Sequence, residues 1–367
     1  MLDRPRLVRN SRWLAIILVI LFAAPVGSRA AEISAQLDEM VRKTAEEHQL
    51  PSFSVAISKG GKIVYSAAVG FADLENKVPA SPRTVYALGS ITKTVTAVAA
   101  LRLAERGELD LDAPIQKSCP AFPEKSDPIT VRQLLGHLGG IRHYDYSRPG
   151  DFLNKTSYAS IDEAMSKFAD DPLLGKPGGY FQYSSWGYVL VGCAIEGASG
   201  HSYSEVVQRD VLKPAKMDST RLNVVQDIIP HRARGYSLTD DGDWANSVCF
   251  DPSDRYPAGG LVGTAEDLVR LASALMGGQL LNEQSVKTMT SQQLSSTGED
   301  TERGLGLEIS NFGAELYHGG TSIGASSFLY IQPGEGVAIA LLTNMSLWTR
   351  PRYWVAQRLA KFAARLE

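Results

Sequence analysis

The chain has 367 residues, 44% of them hydrophobic, so it can bury a large core without disulfide or metal staples, as one large unit or as two domains. A formal charge of −3 argues against a nucleic-acid partner. Three widely spaced cysteines with no Cys-x-x-Cys allow one disulfide at most, and with no His-Glu-x-x-His and with His137 and His143 off helical register, no metal or other cofactor is expected.

Residues 1–30 read as a secretory signal peptide. Arg4, Arg6, Arg9 and Arg12 precede an apolar run over residues 13–24, followed by Ser28-Arg29-Ala30. That run is shorter than the roughly 20 residues a spanning helix needs. Cleavage is therefore expected near Ala30, giving a periplasmic or secreted product that meets the membrane only through this segment. No cysteine follows the run to carry a lipid. Losing five arginines and one aspartate would move the formal charge from −3 to −7.

Residues 33–49 have an amphipathic helical pattern. Residues 52–58 and 62–69 alternate as strands around Lys59-Gly60-Gly61, a β-hairpin. An apolar helix over 94–106 ends at Gly107. From residue 111 the texture changes to short helices broken by Pro and Gly, at 131–137, 161–168, 184–197 and 203–212. Strand patterns return at 306–310, 326–331 and 337–342, before a final helix over 353–366. The expected architecture is α/β (α+β): an antiparallel sheet flanked by helices, from residues 31–110 and 255–367, with a mainly helical domain, 111–254, inserted. A cleft should lie between the two.

Ser90-Ile91-Thr92-Lys93 stands where the apolar helix begins. Residues three apart share a helix face, and a helix N-terminus favours developing negative charge. A serine hydroxyl needs a neighbour to take its proton, and a lysine desolvated by apolar walls has its pKa lowered toward that task. About one Ser-x-x-Lys arises by chance in a chain of this composition, so the motif alone is weak. Two further stretches could complete an acyl-transfer site. Tyr183-Ser184-Ser185 precedes a helix that Ser184 or Ser185 could cap, and Tyr183 could point its phenol into a cleft while Ser185 offers a polar contact to substrate. An aromatic core residue beside a cap is the plainer reading. Tyr317-His318-Gly319-Gly320-Thr321 lies between strand patterns, and Gly319 and Gly320 would let backbone approach a ligand along a strand edge. A strand with a bulge is the alternative there.

Together the three stretches resemble the signature set of the serine β-lactamase and penicillin-binding-protein superfamily. Their order and spacing resemble its class C branch, where the second element is Tyr-x-Asn and the third Lys-Thr-Gly or His-x-Gly. The segments YALGSITKTVTAVAALRLAERGELDLD, ITVRQLLGHLGGIRHY, FQYSSWGYVLVG, PAGGLVGTAEDLVRLASALM and YHGGTSIGASS look most like the serine β-lactamase-like proteins. The likeness runs from about residue 35 to 345.

The resemblance implies a β-lactamase/transpeptidase-like fold with Ser90 as acylated nucleophile, Lys93 as its base and Tyr183 as proton relay to the leaving group. The backbone N–H groups of Ser90 and Thr321 would form the oxyanion hole, and His318 would stand in for the third motif's lysine. Ser185 in place of Asn loses an amide donor to the substrate carbonyl. His318 in place of lysine implies carboxylate recognition that is weaker and changes with pH near neutrality. His137 and His143 read as structural, and Gly139-Gly140 would place the loop from Arg142 to Tyr144 at the cleft rim. The expected function is an exported serine hydrolase acting on a small molecule or short peptide. Amide bonds, including those of D-amino-acid peptides, come first; small esters or weak β-lactam hydrolysis come second, and a slow binding or assembly protein third.

Overall fold

The computed structural model describes residues 26–298 and 301–365, with side chains from residue 31. The export segment read over residues 1–30 therefore lies largely outside the described residues.

The amphipathic pattern near the N-terminus forms α1 (Val26–Glu47), followed by the hairpin of β1 (Ser52–Lys59) and β2 (Lys62–Asp73). Both turn glycines, Gly60 and Gly61, have positive φ, the conformation the reversal requires. Short strands β3 (Val78–Pro79) and β4 (Tyr86–Ala87) lead to a 3-10 turn, Gly89–Ile91, and then to α2 (Thr92–Glu105). The helical region holds α3 (Val131–Leu135), α4 (Ile161–Met165), α5 (Ser185–Ser199) and α6 (Tyr203–Val207), the last running into a π-helical turn, Gln208–Leu212. It is not purely helical: β5 (Arg221–Leu222), β6 (Tyr236–Leu238) and β7 (Trp244–Asn246) also fall within residues 111–254. Two- and three-residue strands carry too little alternation to be read from sequence.

The chain returns through α7 (Tyr256–Gly259), β8 (Leu261–Gly263), α8 (Ala265–Met276) and α9 (Glu283–Thr290). It finishes with β9 (Glu308–Ser310), β10 (Glu315–Ser322), β11 (Ala325–Gln332), β12 (Val337–Thr343) and α10 (Arg352–Ala363). Seven strands form one antiparallel sheet in the order β3-β2-β1-β12-β11-β10-β9, so the two chain ends meet at β1 and β12. Val337, Ile339 and Leu341 pack with Leu37 and Val41 of α1 and Leu359 of α10. Their neighbours Ala338, Ala340 and Leu342 join the larger core around α2, α5 and α8. Side chains of successive strand residues point to opposite faces, so a strand covered on both sides is apolar throughout.

α2 and α5 are buried along most of their length, which is why neither shows a polar face. The threonines of α2 tie it to distant segments: Thr94 Oγ1 donates to Gly306 O and Thr96 Oγ1 to Pro257 O, each at 2.7 Å. Cys119 and Cys193 are joined by a disulfide across this helical region, and Cys249 is free and exposed. The third motif is a regular strand without a bulge, β10, paired with β11 from Leu316 to Ser322. β9 covers its outer edge only as far as Tyr317, leaving the edge from His318 onward unpaired by a strand.

Candidate active site

Ser90 sits in the 3-10 turn feeding α2, as the motif's position at a helix start implies. One turn on, Lys93 is completely buried. Its Nζ lies 3.1 Å from Ser90 Oγ, 3.0 Å from Ser185 Oγ and 2.7 Å from the carbonyl oxygen of Ala258. Burial pushes the Lys93 pKa well below that of an ordinary lysine, with the nearby Arg255 cation adding to the effect. A neutral amine has two N–H groups and one lone pair. The charged amine donates to Ser90 Oγ, Ser185 Oγ and Ala258 O; once neutral it can keep N–H bonds to Ser185 Oγ and Ala258 O and turn its lone pair to the Ser90 hydroxyl.

The second motif precedes α5. Ser184 is its N-cap, accepting from Gly187 N at 2.9 Å and donating to Arg142 O at 2.7 Å. Two histidines hold the backbone here: His137 Nδ1 accepts from Ser184 N and His143 Nδ1 from Ser185 N, both at 3.1 Å. The His137 ring also packs against Tyr183, tilted by 33° with centroids 4.4 Å apart. Acting as acceptors, both imidazoles are neutral, and burial depresses their pKa values, that of His143 to about 3. Tyr183 places its ring 5.0 Å from Lys93 Nζ and its phenol beside Ser90, and burial pushes its pKa up. The structure thus brings Ser90, Lys93, Tyr183 and Ser185 together.

The third motif meets them from the sheet side. A Cβ on Gly89, whose φ is +50°, would stand 2.7 Å from Thr321 N, and one on Gly320 would stand 2.0 Å from Leu88 O. Only glycine at both places lets the 88–90 backbone lie on β10. That packing sets the N–H groups of Ser90 and Thr321 on neighbouring segments. Gly319 presses on the other face, where a Cβ would meet the Arg352 guanidinium at 2.1 Å.

His318 is buried at the site, its Nδ1 2.8 Å from Gly319 O. A carbonyl oxygen only accepts, so Nδ1 carries the proton and Nε2 is left as an acceptor. Burial is the main reason its pKa falls to about 3, and Lys93 when protonated adds to the effect. The expected change of charge near neutrality is therefore corrected: the ring is neutral there, because no carboxylate offsets its desolvation.

Several contributors are not visible as motifs. Arg255 lies behind Lys93, its guanidinium on Asp254 at 2.6 and 2.8 Å and 4.4 Å from the Tyr144 ring centroid. Lys167 Nζ adds a second cation to Asp254 at 2.5 Å. Arg142, expected at the rim, is buried and ion-paired to Asp151 and Asp171, while Tyr144 from the same loop faces Ser90. A small cavity of about 30 Å³ at Ser90 is walled by Tyr144, Phe152, Phe250, Arg255, Thr321 and Ile323, among others. Phe152, Phe250, Arg255 and Ile323 come from three stretches of the chain that meet only in the fold, so no local spacing could have singled them out.

The Beta-lactamase family model matches residues 37–361. The serine beta-lactamase-like protein LACTB, mitochondrial, of Homo sapiens is 30% identical over 317 residues, covering 68% of this chain and 57% of that protein. The chain thus spans a little over half the length of that curated relative. Among solved structures, the octameric penicillin-binding protein homologue from Pyrococcus abyssi aligns with TM-score 0.74 and 27% identity, over 91% of this chain and 77% of that one. The penicillin binding protein from Bacillus halodurans aligns with TM-score 0.76 and 25% identity, over 88% and 98%. A likeness that spans the sheet, the helical region and all three motifs leads to one conclusion: the chain belongs to the Beta-lactamase family.

Proposed function

We propose that this chain is a serine hydrolase that works through an acyl-enzyme on Ser90. The observation that carries the reading is the buried Lys93 amine, 3.1 Å from Ser90 Oγ with two other acceptors for its N–H groups. Lys93 takes the Ser90 proton as Oγ bonds to the substrate's carbonyl carbon. The carbonyl oxygen gathers negative charge opposite the N–H groups of Ser90 and Thr321. Collapse breaks the bond to the leaving group, which departs with a proton passed from Lys93 through the Tyr183 phenol. Water then attacks the acyl carbon, gives its proton to the same base, and releases the acid with Ser90 restored.

Amides, peptides included, are the first substrates to expect. Small esters are the second, because Ser185 offers a hydroxyl already engaged by Lys93 where an Asn amide would donate to the substrate carbonyl. Export from the cytoplasm is part of the proposal, and the basic and apolar segment at residues 1–24 is what supports it.

Treatment with a fluorophosphonate followed by intact-mass measurement tests the acyl-enzyme reading. One adduct is expected, lost in Ser90→Ala. Label that persists in this variant or maps to another serine overturns the assignment, and labelling without turnover of any amide or ester favours a binding or assembly role.

A further inference from the structure

The walls of the cavity at Ser90 indicate what the acyl group is. Phe152 stands 5.7 Å from Tyr144 and 5.0 Å from Tyr146 between ring centroids, forming one aromatic wall. Phe250 and Ile323 line the same cavity, and both are half-buried.

The cations around the cavity are already engaged. Arg255 lines it, but its guanidinium is held by the Asp254 carboxylate and by Asp151 O at 3.0 Å. Arg303 is paired with Glu308 at 3.1 Å. Arg352 lies against the far face of β10, donating to Gly320 O at 2.9 Å and Ser327 O at 3.1 Å. The position where the superfamily pattern offers lysine holds His318, whose Nδ1–H is taken by Gly319 O. A carboxylate entering this cavity would lose its water and meet cations whose hydrogen-bond donors are already held by Asp254, Glu308 and backbone carbonyls.

We propose that the acyl group accepted by Ser90 is uncharged and apolar and is seated against Tyr144, Phe152, Phe250 and Ile323, so that acyl groups carrying a carboxylate are discriminated against. The inference rests on the acyl-enzyme reading above and names the substrate class for that site.

Two fluorophosphonates test it, identical except that the alkyl chain of one ends in a carboxylate. Ser90 Oγ displaces fluoride from either probe, and its proton passes to Lys93, so adduct formation on Ser90 followed by mass reads the seating of the chain directly. The uncharged probe is expected to react about a hundredfold faster, since burying an unpaired carboxylate disfavours the charged one. Equal rates overturn the inference and leave the acyl-enzyme reading intact. No adduct from either probe overturns the acyl-enzyme reading and the inference with it. Phe250→Arg and, separately, Ile323→Arg place a cation on the wall, and a melting curve shows which of them folds. In a folded variant the gap should narrow about tenfold. A gap unchanged in both folded variants overturns the seating against these side chains.

Discussion

Gly89 lies so close to Thr321 that a Cβ on the glycine would stand 2.7 Å from both the nitrogen and the oxygen of that residue. The contact is between backbones, so no side-chain rotation relieves it. Gly89→Ala should push the Ser90 turn off β10 and separate the two N–H groups proposed to hold the oxyanion. Loss of one such donor lowers kcat by about 10²- to 10³-fold. Steady-state kinetics on the best ester or amide checks this, and a variant with unchanged kcat would remove the Ser90 and Thr321 pair from the mechanism.

Lys93 should govern the acid limb of the pH profile. Its pKa is lowered by burial and by Arg255, so the amine is neutral over a wider range than a free lysine and takes up a proton only as pH falls through the lowered value. Activity as kcat/KM should therefore fall on the acid side. Lys93→Arg keeps a cation but never yields a proton acceptor, and should lose about 10³-fold. Arg255→Met removes the neighbouring positive charge, which should raise the Lys93 pKa and move the acid limb to higher pH. An unmoved limb would show that Arg255 does not act on the base.

Two buried histidines, His137 and His318, and the half-buried His143 predict acid sensitivity of the fold. His318 and His143 titrate at about 3 in the folded protein, and burial holds His137 well below its ordinary value. In the unfolded chain each accepts a proton near 6.5. Between those values the unfolded state binds more protons, so stability falls as pH falls, by about 1.4 kcal/mol per pH unit for each histidine. Denaturant unfolding from pH 7 to pH 4 should show this decline, and His318→Gln should make it shallower. His318→Gln should also leave the kcat/KM profile between pH 5 and 8 without a lost inflection, since the imidazole is already neutral there.

The disulfide links residues 74 apart, Cys119 and Cys193. Closing a loop of that length stabilises the chain by about 4 kcal/mol on the chain-entropy account. Cys119→Ser with Cys193→Ser should lower the unfolding free energy by up to that amount. The proposed export would supply an oxidising compartment. N-terminal sequencing of protein recovered from outside the cytoplasm should begin near residue 31, and a chain that begins near Met1 in the membrane fraction would argue for an anchor.

Much of the fold was legible because its signals are local. The hairpin shows in the alternation on either side of Gly60-Gly61, and β11 and β12 in the apolar runs over 328–331 and 337–342. The site was legible where one element carries two of its members, as Ser90 and Lys93 do one turn apart. The short strands β5 to β7 were not, since two or three residues cannot display a period. The open edge of β10 was foreseeable only as one of two readings, because what β9 leaves uncovered depends on pairing register.

The sequence by itself determined the order of the longer elements, the Ser90 and Lys93 pair proposed as nucleophile and base, and the family to which the three motifs point. Periodicity and short spacings are properties of neighbouring residues and survive without a fold. Only the tertiary structure decided the chemistry of those groups. Lys93 has the lowered pKa that a base requires because distant apolar segments close over it, and Ala258 O reaches it from 165 residues away. His318 loses its titration for the same reason, and Arg255 is committed to Asp254 instead of to a ligand. Burial and hydrogen-bond partners set pKa values and available charge, and both come from segments that meet only when the chain has folded.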